Sequence, residues 1–194
     1  MSLPADLQRL DDALEATGQD ARAVVANLTD AAGAWRAVQG SWSVAECIDH
    51  LATADRVYLA ALRPAAERAA AANRVRKGPA KPGLIGGWFV NQMEPQTTRR
   101  LKAPRAIRPR TAPPLRDAFA AFLASHAEVR AFLREYAAID LVGVTFANPF
   151  ITGLRFSLAT GLHVIAAHER RHLSQAWGVR RLAEAATAPG PPRS

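Results

Sequence analysis

The chain has 194 residues, is 49% hydrophobic and 22% charged, and carries one cysteine and a formal net charge of +8, a size that favours one compact domain. Cys47 alone cannot close an intramolecular disulfide, and the first thirty residues contain acids and no unbroken apolar core. Neither a secreted disulfide scaffold nor a signal peptide is therefore expected, and a cytoplasmic location is. Asp, Arg or Glu interrupts every apolar run well short of the ~18 residues that span a bilayer, so no membrane span is expected.

The first predicted element is an amphipathic helix from about Leu3 to Leu28, whose apolar residues Leu3, Leu7, Leu10, Leu14, Ala21, Val24, Val25 and Leu28 recur at spacings of three and four. Gly18 falls inside it and weakens it. Ser43-Val44-Ala45-Glu46 has the pattern of a capping box, so a second helix starts at Val44 and continues to about Ala72, with a kink expected at Pro64. From Asn73 to Pro114 the periodicity disappears under prolines and glycines, with one short helix expected around Gly87 to Leu101. A third helix carries Leu115, Phe119, Phe122, His126, Val129, Leu133 and Tyr136 on alternating spacings of four and three, the seam of a bundle. The fourth runs from about Gly153 to Ala185. Leu141 to Phe146 is β-branched enough to be ambiguous, and no other strand is expected.

Four such stripes in one chain bury themselves against one another, which predicts an all-α four-helix bundle over residues 1–187. Residues 74–114 form a Pro/Gly-rich insertion and residues 188–194 a disordered tail. The insertion also explains the charge. Between Arg74 and Arg110 lie ten Lys or Arg and one acid, Glu94, for +9, while fifteen basic and sixteen acidic residues elsewhere leave −1.

The sharpest chemical signal is His168-Glu169-Arg170-Arg171-His172, two histidines at i and i+4 on one helical face with their rings close enough to share an ion. A third imidazole has to come from another helix, and His50, on the core-facing edge of the second helix, is the best-placed candidate. His126, on the seam of the third helix, is a weaker one, since a lone histidine on an apolar stripe is more often a hydrogen-bonded core residue. His163 is turned about 140° around the helix from His168 and faces elsewhere. Cys47 lies one turn before His50 and reads as a buried small hydrophobe. Trp42 is placed to staple the helix entry, and Trp88 and Phe89 either pack over the mouth of a pocket or stay exposed.

Trp42-Ser43-Val44-Ala45-Glu46-Cys47-Ile48-Asp49-His50-Leu51, followed by His168-Glu169-Arg170-Arg171-His172-Leu173-Ser174-Gln175, resembles the two motifs of the DinB/YfiT-like metalloenzyme family. The resemblance implies a bundle of up-down-down-up type with His50, His168 and His172 around one divalent metal. It also implies homodimers and relatives that include S-transferases and isomerases using small thiols such as mycothiol or bacillithiol. It does not extend to the insertion.

Three neutral imidazoles leave coordination positions open, the arrangement of a catalytic ion, and suit zinc or nickel as well as cobalt or iron. Glu169, Asp49 and Gln175 each lie beside or near a ligand and are candidates to fix an imidazole tautomer. The expected function is hydrolysis or thiol transfer on a small electrophile. The alternative is a binding protein whose arm Arg99–Arg110, with six positive charges in twelve residues, contacts nucleic acid or another polyanion. That arm has no interleaved aromatics for base stacking, which does not favour nucleic acid.

Overall fold

The computed structural model describes residues 2–97 and 103–187. In chain order they form α1 (Ala5–Val25), α2 (Asp30–Ala34), α3 (Val44–Ala71), α4 (Leu84–Gln92), α5 (Leu115–Glu135), β1 (Thr145–Ala147), β2 (Arg155–Ser157) and α6 (Leu158–Thr187). The four long helices make an all-α bundle in which α1 and α3 each pack against both α5 and α6.

Helix direction follows from the two apolar clusters. One gathers Leu7 and Leu14 from the start of α1, Leu62 from the end of α3, Phe132 from the end of α5 and Leu162 from the start of α6. The other gathers Val24, Ile48, Leu115 and Leu173 from the opposite ends. Thus α1 and α6 run one way and α3 and α5 the other, giving up-down-down-up. Because α3 and α5 are parallel, the chain between them must return the full length of the bundle, and this geometric demand accounts for the long connection.

Local chemistry sets the register of α3. The Ser43 hydroxyl accepts from the Glu46 amide at 3.2 Å, and the Glu46 carboxylate accepts from the Ser43 amide at 2.9 Å. Arg36 adds a two-pronged contact to the same carboxylate. The helix then continues through Pro64 as one element, ending before Asn73, which takes the left-handed conformation at φ 49°.

The connection is fastened to the bundle at several points. Asp6 accepts from Arg76 and from the Ala80 amide, and His163 donates through Nε2 to the Ala80 carbonyl at 3.1 Å, so His163 does face away from His168. Next, α4 lies on α6, an approach that requires Gly86, since a Cβ there would sit 2.5 Å from Thr160 Oγ1. A short 3-10 turn, Arg105–Ile107, packs on α3.

Several boundaries differ from the sequence expectation. The fourth long helix starts at Leu158, five residues later than expected, because Arg155–Ser157, expected as helix, instead pairs with Thr145–Ala147 in an antiparallel hairpin that sets Phe146 opposite Phe156. The short helix in the connection occupies Leu84–Gln92, starting before the expected Gly87 and ending at Gln92, while the end of the expected range, 98–101, lies outside the described residues. Its apolar residues Phe89 and Val90 pack on the core. The first helix ends at Val25, with Asn27 left-handed at φ 60°, and α2, capped by Thr29, follows unannounced. The expected tail at 188–194 and the arm residues Arg99, Arg100 and Lys102 lie outside the described residues.

Candidate metal centre

His50 stands on α3 two turns beyond the capping box, and His168 and His172 stand one turn apart on α6. Packing of α3 on α6 brings the three rings together, with one ring nitrogen from each within 4.8 Å of the others. His50 Nε2 and His168 Nε2 are 3.1 Å apart, close to the ~3.3 Å that two nitrogens keep on a tetrahedral ion with ~2.0 Å bonds. His50 is buried, whereas His168 and His172 are half-buried and line a groove.

The contacts behind the rings decide where the lone pairs point. His50 Nδ1 lies 2.5 Å from the Ile107 carbonyl. A carbonyl can only accept, so the proton is on Nδ1 and the Nε2 lone pair faces the other imidazoles. His172 Nδ1 donates likewise to Gln175 Oε1 at 3.0 Å. Burial is the main cause holding all three imidazoles toward their neutral form. His172 is lowered to about 3, His168 lies well below the usual range and His50 below it, and the neighbouring rings push His168 and His172 further down. Neutral imidazoles with converging lone pairs are the donor set that a divalent ion of the zinc to nickel type requires.

Asp49 and Glu169 go elsewhere. The Asp49 carboxylate accepts from the Arg110 backbone amide and guanidinium, each at 2.8 Å. It thereby clasps the end of the connection to α3 beside the Ile107 carbonyl that orients His50. Glu169 is turned into the bundle, where it accepts from Thr17 Oγ1 at 2.5 Å and from His126 Nδ1 at 3.0 Å. Of the three candidates for fixing a tautomer, Gln175 is the one in hydrogen-bond contact with an imidazole of the cluster.

His126 belongs to this second, buried polar layer between the two apolar clusters. Asp55 joins it through the Ser125 hydroxyl at 3.1 Å, and burial together with the Glu169 charge holds the Asp55 carboxyl well above the usual carboxylate range. His126 Nε2 faces the bare Cα of Gly18, where a Cβ would lie 3.0 Å away. That close approach explains a glycine inside α1.

Cys47 is buried in the apolar cluster of the lower bundle, and burial pushes its thiol up, so it offers no thiolate to the groove. Trp42, expected to staple the helix entry, lies with its ring 4.7 Å from that of His50 and 5.5 Å from that of His172. Phe89 packs against Phe156 at 4.9 Å, while Trp88 stays exposed on the groove rim. Sequence reasoning missed the Ile107 carbonyl, for which no side-chain signal exists. It also missed Tyr58, Phe150 and Phe156 as groove wall, although their aromatic character within 150–156 and in the middle of α3 was visible.

Among the described residues no helix is long and apolar enough to cross a membrane. Comparison with curated proteins and with solved structures gives no match. The family model of the DinB superfamily matches residues 13–176, a span that contains α3, α5, most of α1, the first part of α6 and the three histidines. The chain belongs to the DinB superfamily.

Proposed function

We propose that the protein is a divalent-metal-dependent enzyme in which His50, His168 and His172 hold one ion and leave open the side facing the groove, for hydrolysis or thiol S-transfer on an electrophile. The observation that carries this reading is the pair of Nδ1 contacts, to the Ile107 carbonyl and to Gln175, which turn two Nε2 lone pairs toward the third ring. When bound, a zinc, nickel, cobalt or iron ion supplies Lewis acidity and favours the deprotonated form of a water or thiol at the open position. The chain's own part is to hold the three rings, to shelter two of them under Trp42 and to admit substrate from the groove. A closed set of four protein ligands would instead suit a structural ion, and the described residues bring three.

The reading carries a cytoplasmic location and a homodimer with it, and light scattering that returns one subunit mass would contradict the latter. It leaves the nucleic-acid alternative less room, because Arg110 is engaged by Asp49 and Ile107 serves His50. Activity is tested by assaying ester and thiol-addition substrates, the latter with low-molecular-weight thiols, on protein stripped with chelator and reloaded with each ion. Turnover that disappears on stripping and returns with one ion per chain is expected. Turnover indifferent to chelation would overturn the proposal.

A further inference from the structure

The groove that reaches the three imidazoles has a volume of about 1280 Å³, above the ~300–1,000 Å³ of ordinary small-molecule sites. A small polar electrophile would leave most of it filled with water. Its wall is mainly apolar and aromatic, with Trp42, just before α3, and Tyr58, Phe89, Phe150 and Phe156, from α3, α4 and the hairpin region, contributing rings.

A second observation concerns the rim. Val38, Ile85, Trp88 and Ile151 line the groove and are 66%, 73%, 59% and 42% exposed. They come from three separate stretches of chain, Ile85 and Trp88 both from α4, and converge on one opening, so they form one patch and not scattered surface hydrophobes. Large apolar groups held in water around a concave, aromatic-walled space are stabilised when an apolar ligand covers them, at roughly 25 cal/mol per Å² removed from water.

Charge narrows the ligand further. The described lining contains Arg108 and Arg171, whose guanidinium donates to the Gln92 and Glu94 carbonyls, but one carboxylate, Glu46. That carboxylate is already held by Arg36 and by the Ser43 amide. A cationic ligand would thus lose hydration without gaining a counter-charge, whereas an uncharged or anionic one would not.

We infer that the groove takes a bulky lipophilic substrate, an uncharged or anionic aryl or long acyl compound, with its polar reactive end at His50, His168 and His172. The placement of the reactive end rests on the metal-enzyme reading. The binding of the lipophilic body does not.

The test is fluorescence titration of chelator-treated full-length protein with neutral N-phenyl-1-naphthylamine, and, by competition, with a naphthalene sulfonate and a naphthyl trimethylammonium of matched size. Saturable binding is expected, with the sulfonate competing at least about tenfold better than the ammonium. Trp88→Ser and Ile151→Asp, both at exposed positions, should each weaken binding about fivefold or more. Leu84→Asp, exposed on α4 but outside the groove lining, should leave it unchanged. Absence of saturable binding would overturn the inference, as would binding lost with Leu84→Asp but kept with Trp88→Ser and Ile151→Asp. So would binding that falls as protein concentration rises through a dimerisation range, since a second copy would then be the occupant. Because the probe is titrated into metal-free protein, its failure leaves the metal reading standing. Failure of ion binding likewise leaves a positive probe result standing.

Discussion

His168 and Glu169 are neighbours on α6, yet they face opposite kinds of surroundings. His168 joins two other imidazoles on the wall of an open groove, and the contacts of His50 and His172 lie behind their rings, leaving nitrogen lone pairs directed at one another. Glu169 sits fully buried between the two apolar clusters, where Thr17 and His126 occupy its oxygens. Both regions contain histidine beside polar partners, and His126 is as close to a carboxylate as any histidine in a catalytic pair. What separates them is the direction of the free nitrogen. In the first region it points into space that a ligand can enter; in the second, His126 Nε2 points at the backbone of Gly18 and has no hydrogen-bond partner among the described residues.

If that contrast is right, changes in the buried layer act on stability and changes in the groove act on ligands. The largest effect is expected for Glu169→Ala, which strips partners from buried Thr17 and His126. A loss of about 3 kcal/mol in urea unfolding is predicted, with ion stoichiometry in the folded protein unchanged. A loss of ion binding at full stability would join the two regions into one. Gln175→Leu should do the reverse, weakening zinc affinity about tenfold by titration calorimetry through the lost restraint on His172, with no change in the unfolding midpoint of the metal-free protein.

Gly18→Ala sharpens the contrast at a smaller scale. The exchange ordinarily stabilises a helix interior by ~0.5–1 kcal/mol, but here the added methyl meets the His126 ring at 3.0 Å. A net loss of about 1 kcal/mol is expected, and a gain would mean that His126 is free to move. One further effect lies outside both regions. Asp6, held to about 2 by Arg76 and the Ala80 amide against the opposing cost of burial, stabilises the folded state above the ordinary carboxylate value. That contribution should fade as pH falls from about 4 to about 2. Asp6→Asn should flatten this part of the stability profile and leave the ion site untouched.

The bundle and the three histidines were legible because both rest on periodicity. Apolar residues at three and four built α1, α3 and α5, the Ser43/Glu46 pattern marked the start of α3, and i,i+4 spacing placed His168 and His172 on one face. What was not legible depends on contacts between distant backbones. The hairpin is three residues per strand, too short to show alternation, and it exists because Phe146 and Phe156 pair across a turn. Gly18 read as a weakness in α1 until His126 appeared against it. The basic segment Arg99–Arg110 read as an arm available to a polyanion, although its Ile107 carbonyl and Arg110 amide are bound to consecutive side chains of α3, His50 and Asp49. Net charge carries no information about which cations are engaged, and a carbonyl acceptor has no residue type at all.

The contrast rests on the three imidazoles holding one ion. Metal analysis of the protein after dialysis against zinc, set beside His50→Ala and His168→Ala, addresses it most directly. One ion per chain in the parent protein, and none in either variant while both remain helical by circular dichroism, is the predicted result. An unchanged stoichiometry in His50→Ala, or a parent protein that retains no ion, would contradict it.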